Sequence, residues 1–135
     1  MVRSTRGWAL AVLMLGAAGC GGEELTPPTT PTPDPITRTF TGALSINGAV
    51  THPFTTQAGG TVIATLSAID PAVTAGLSLG TWNGLSCHII IPNDQAVAPT
   101  SVTGTVAATG DLCVRIYDVG RFTGSTTYTL SVLHP

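Results

Sequence analysis

Strict two-residue alternation near the C-terminus confines this chain to pleated structure. Leu112, Val114 and Ile116 alternate with Cys113, Arg115 and Tyr117. After a break over residues 120–125, Tyr128, Leu130 and Val132 alternate with Thr129 and Ser131. A period of two in β-branched and aromatic residues puts every second side chain on one face, which a helical period of 3.6 cannot do. The pattern recurs upstream. Phe40, Gly42, Leu44 and Ile46 share a face, as do Val50, His52 and Phe54, then Val62, Ala64 and Leu66, and then Val73, Ala75, Leu77 and Leu79. Val102, Val106 and Ala108 form a further run. Asn47-Gly48 carries a hairpin signal, and Ala58-Gly59-Gly60, Asp70-Pro71 and Thr109-Gly110-Asp111 punctuate the rest. Residues 87–92 are apolar on both faces and are expected to form a central, doubly covered strand. About eight short strands, with turns roughly every 8–12 residues, predict an all-β fold. The expected architecture is a two-layer antiparallel β-sandwich, jelly-roll-like, over residues 37–135.

The first 36 residues follow a different rule. Residues 1–19 combine Arg3 and Arg6, an apolar run over residues 8–15, and Gly16-Ala17-Ala18-Gly19, in the order of an export signal. The run is shorter than the roughly 20 apolar residues of a membrane-spanning helix. Cys20 follows Ala17-Ala18-Gly19 as in a bacterial lipobox, with Ala17 where leucine is usual. Lipidation of Cys20 is therefore expected, which anchors the chain to a membrane; the alternative is an ordinary secreted chain with an odd cysteine. Gly21, standing where aspartate would retain the protein, resembles the enterobacterial signal for the outer membrane. Residues 20–36 hold five prolines and four threonines without apolar periodicity. They read as a solvated polyproline spacer of about 50 Å, or as a disordered leader with no spacing role.

Charge excludes one large class of partner. The chain has no lysine, and beyond residue 19 only Arg38, Arg115 and Arg121 stand against seven acidic side chains. Nothing here neutralises a phosphate backbone, so no nucleic-acid partner is expected. With Cys20 assigned to lipid, Cys87 and Cys113 are the remaining pair, and outside the cytoplasm they are expected to be oxidised. Cys113 alternates with the apolar face of its strand, whereas Cys87 shares parity with Ile89 and Ile91. Either the bond crosses between layers near an edge, or a bulge shifts one register.

Several strings resemble the bacterial pre-peptidase C-terminal family, a β-sandwich appended to many secreted proteases. They are Phe40-Thr41-Gly42-Ala43-Leu44, His52-Pro53-Phe54-Thr55, Ala58-Gly59-Gly60-Thr61-Val62, Gly110-Asp111-Leu112-Cys113-Val114-Arg115-Ile116-Tyr117 and Tyr128-Thr129-Leu130-Ser131-Val132. The resemblance spans residues 38–135 and implies a non-catalytic accessory domain, some relatives of which bind collagen or calcium. The acid cluster that calcium-binding relatives carry around the first strand is missing, since only Glu23, Glu24 and Asp34 precede Phe40.

Candidate chemistry is sparse. His52, His88 and His134 lie in no motif of known mechanism, so no enzyme and no cofactor are expected. His134 is expected to fray with the terminus, and His88 to be a hydrogen-bonded side chain inside its strand. Asp70, Asp94, Asp111 and Asp118 fall at strand ends or turns, where aspartate has local backbone reasons to be, and no metal site is assigned. Trp82, Arg115 and Tyr117 are the candidate binding residues, because an exposed aromatic–arginine face suits a protein or glycan partner. The alternative is that Trp82 caps the core edge and Tyr117 packs over the disulfide. The expected role is a lipid-anchored cell-envelope module that binds a protein or polysaccharide. The competing role is a structural envelope subunit, or an accessory domain for a separate secreted protease.

Overall fold

The computed structural model describes residues 21–22 and 25–135; the expected export signal and Cys20 lie outside the described residues. Residues 25–35 are exposed and carry no secondary structure. Residues 31–135 form one compact unit. Its eight strands are β1 (Ile36–Leu44), β2 (Ala49–Thr56), β3 (Gly60–Asp70), β4 (Ala75–Trp82), β5 (Cys87–Ala96), β6 (Thr100–Val106), β7 (Gly110–Tyr117) and β8 (Thr126–His134). They build two four-stranded antiparallel sheets, β1-β8-β3-β6 and β2-β7-β4-β5. The expected all-β sandwich is thus present, and the pairing of the chain's first half with its second in reverse order is that of a jelly roll.

This winding corrects the expected hairpin at Asn47-Gly48. The turn forms, with Asn47 at φ 57° and Gly48 N donating to Ser45 O at 2.9 Å. It nevertheless joins β1 to a strand of the opposite sheet. Asp118, just beyond β7, ties the turn down: its Oδ2 accepts Asn47 N (2.9 Å), and its own N donates to Gly48 O (2.9 Å). Ile46, grouped above with the core face, is in this turn and 51 % exposed.

The core lies between the sheets and is filled by the alternating sets seen in the sequence. Val62, Ala64 and Leu66 from β3, Leu77 and Leu79 from β4, Leu112, Val114 and Ile116 from β7, and Tyr128, Leu130 and Val132 from β8 are all buried. Each fully buried aliphatic side chain contributes about 1.5–3 kcal/mol relative to exposure. His134 continues the β8 series. It is fully buried against Phe54, with ring centroids 5.1 Å apart, rather than frayed. Pro135 O accepts Gln57 N at 3.0 Å, which pins the strand end to β2. The His134 Nε2 is left without a partner.

The doubly covered strand is β4, and β5 is an edge strand with alternate residues exposed. The cause is side-chain size. Residues 75–80 are buried on both faces because Gly76, Ser78 and Gly80, on the side away from the core, leave room for neighbours to lean across. A side chain on Gly76 would begin 2.1 Å from the Tyr117 ring. The apolar run in β5 has another origin. Leu79 pairs with Ile91 and Gly80 with Ile89, so Ile90 is the extra residue of a bulge and is 57 % exposed. Ile91 packs on the core, and the shifted register turns Ile89 and Cys87 outward. Of the two routes to a disulfide, the bulge is the one taken: Cys87 and Cys113 are bonded, with Cα atoms 5.8 Å apart.

Candidate binding face

The outer face of the second sheet collects the residues singled out in the sequence. Cys113 pairs with Gly80 and Pro53, Arg115 with Ser78 and Thr51, and Tyr117 with Gly76 and Ala49, all pointing away from the core. Trp82 pairs with Cys87 and stands on the same face, at the end of β4. The disulfide lies between Trp82 and the Arg115–Tyr117 pair, so the three candidates share one surface. Each is half-buried.

Tyr117 is held in place. Its ring lies over Gly76, its hydroxyl donates to Asp94, and the Arg115 guanidinium sits 5.8 Å from its ring centroid. It therefore packs over glycine, not over the disulfide. Burial first, then the hydrogen bond and charge of Asp94, push the Tyr117 hydroxyl up to about 12, with Arg115 pulling the other way. A spectrophotometric titration is expected to show no ionisation of Tyr117 until well above pH 10. Asp94→Asn should lower that midpoint while leaving it above the ordinary value, because burial persists. An unchanged midpoint in the variant would mean that Asp94 does not hold the ring.

Trp82 belongs to the β4–β5 hairpin. The Asn83 side chain closes its turn, accepting Leu85 N (2.9 Å) and Ser86 N (2.8 Å) on Oδ1. Beside the indole lies a cleft of about 560 Å³ bordered by Arg38, Pro53, Thr55, Trp82 and Asp111. Thr55 Oγ1 donates to Asp111 Oδ1 at 2.7 Å on its floor. Arg38 reaches it from β1, a strand of the other sheet, and no local sequence signal marks that residue as part of a site.

The remaining titratable groups act locally. His88 is exposed on the edge strand rather than tucked into it. His52 faces the core rim, stacked on Phe40 at 4.6 Å and hydrogen-bonded to Tyr128 at 2.8 Å, and burial lowers its pKa. Asp118 gives Oδ1 to the backbone N–H groups of Gly120, Arg121 and Phe122. No cluster of three or more metal-ligating side chains occurs among the described residues. The expectation that the sequence holds no serine nucleophile-elbow motif is wrong at Gly76-Leu77-Ser78-Leu79-Gly80, which has that spacing. Here it lies in mid-strand, not at a strand-to-helix turn, and Ser78 Oγ is buried without a hydrogen-bond partner. The buried hydroxyl lacks both the exposure and the adjacent base that nucleophilic attack requires.

No family model matches the chain, and no curated protein matches it. Among solved structures it is similar to PliG of Aeromonas hydrophila, a periplasmic lysozyme inhibitor of g-type lysozyme. The TM-score is 0.52 at 14 % identity, over 73 % of this chain and 86 % of that one. At that identity what the two chains share is the β-sandwich fold.

Proposed function

We propose that this protein is a non-catalytic, lipid-anchored cell-envelope module that binds a protein or polysaccharide partner through the outer face of its second sheet. The observation that carries this reading is the gathering of Trp82, Arg115 and Tyr117 on one rigid, outward surface. Tryptophan, tyrosine and arginine supply most binding hot spots, and side chains already fixed in place lose little freedom on association. The fold neighbour, a periplasmic inhibitor, lends support to a binding role in the envelope. In this reading Cys20 carries the lipid, residues 20–36 act as the stalk, and the domain stands at the outer membrane, on its periplasmic or external side.

The test is depletion of the chain from solution by cell-wall material, insoluble glycans, collagen or envelope extract, with a g-type lysozyme activity assay beside it. Saturable retention, or inhibition, that weakens about tenfold or more in Trp82→Ala or Arg115→Ala at unchanged fold is the expected result. Stoichiometric co-purification with one envelope protein, indifferent to both substitutions, would favour the structural subunit. Capture of a secreted protease would favour the accessory role that the pre-peptidase C-terminal resemblance implies.

A further inference from the structure

The cleft beside Trp82 has a composition that the rest of the face lacks. Its wall is a half-buried indole, and its floor holds a carboxylate and a hydroxyl already hydrogen-bonded to each other. Across from the second sheet, β1 contributes a guanidinium through Arg38. Cation and anion face the same space, so the cleft selects for no net ligand charge. What it offers is a flat apolar plate with donors and acceptors beside it. A pyranose ring has the complementary form, with axial C–H groups on one face and hydroxyls around the rim that both donate and accept. The backbone that carries the plate is also tied down. Cys87, the register partner of Trp82, is bonded to Cys113, and the turn after Trp82 is closed by the Asn83 side chain. A weakly polar ligand needs such preorganisation, since each contact it makes is small.

The geometry points to a glycan chain as the ligand of this cleft, with one pyranose ring stacked on Trp82 and its hydroxyls held by Asp111, Thr55 and Arg38. This rests on the binding-module reading and narrows it to a ligand class and a place. A protein partner seated on the cleft is the competing outcome.

The chain bearing Trp8→Phe and Cys20→Ser has Trp82 as its one tryptophan and no free cysteine at position 20. It would be titrated with chitohexaose, cellohexaose, maltohexaose and soluble peptidoglycan fragments, following indole fluorescence and heat of binding. Saturable quenching with at least one of them is expected. Calorimetry should show binding weakened tenfold or more by Trp82→Ala and about fivefold by Asp111→Asn. Trp82→Phe should retain part of the affinity, and Val97→Ser, in the exposed turn between β5 and β6, should leave it unchanged. Binding that survives both Trp82→Ala and Asp111→Asn would overturn the placement in this cleft. No binding of any of the four glycans would overturn the glycan assignment. In that event the binding-module reading stands if depletion by a protein still depends on Arg115, and falls with it if no partner is retained at all.

Discussion

The double variant Cys87→Ala/Cys113→Ala is expected to melt roughly 15–25 °C below the parent chain. The two cysteines are 26 residues apart, and the bond joins edge strand β5 to β7 across the end of β4. Closing a loop of that length removes unfolded-state freedom worth about 3.5 kcal/mol, and in a domain of about 100 residues each kcal/mol moves the midpoint by roughly 4–8 °C. A core this small has little reserve against such a loss. The check is a pair of melts with and without reductant. The parent should fall to the variant's midpoint on reduction, and the variant should not respond. If oxidised parent and variant melt together, the bond contributes nothing and the expectation fails.

The second large effect is expected from one methyl group. A Cβ on Gly80 would lie 2.1 Å from the carbonyl oxygen of His88 and 3.0 Å from the Cα of Ile89. Both are backbone atoms, so no rotamer change relieves the clash; the bulged start of β5 has to move away from β4. Gly80→Ala should therefore cost about 2–3 kcal/mol, at the upper end for overpacking. Gly76→Ala is the informative contrast. There the obstruction is the Tyr117 ring, which can swing aside, so about 1 kcal/mol is expected, with Tyr117 released from Asp94. Urea midpoints at constant slope measure both. In the chain lacking the disulfide, the cost of Gly80→Ala should shrink, because β5 is then free to yield. Equal costs for the two glycine variants would show that the contact at Gly80 is not with immovable backbone.

Much of this was legible in the residues, and the misreadings have physical causes. The inward sets of β3, β7 and β8 follow directly from alternation, since every residue at a given parity meets the same layer. Residues 87–92 read as doubly buried because an extra residue in an isoleucine run leaves apolar side chains on both parities, and a bulge looks the same as double coverage when only the string is known. His134 reads as terminal fraying because position in the chain says nothing of the Phe54 ring that packs on it or of the Gln57 amide that donates to the next residue, Pro135.

The candidate site divides the same way. Arg115 and Tyr117 are two residues apart in one strand, so their shared face is a local fact. That Trp82 joins them depends on the register between β4 and β5, and that Arg38 enters the cleft depends on how the sheets stack. Local periodicity by itself determined the all-β class and the core-facing sets of β3, β7 and β8, and the expected lipidation of Cys20 left Cys87 and Cys113 as the disulfide pair. Only the tertiary structure decided which strands pair, which one is covered on both sides and what surrounds Trp82. Those outcomes are set by side-chain volumes at positions distant in sequence: Gly76 of β4 admits the Tyr117 ring and Gly80 admits the β5 backbone at His88, and no local pattern records that fit.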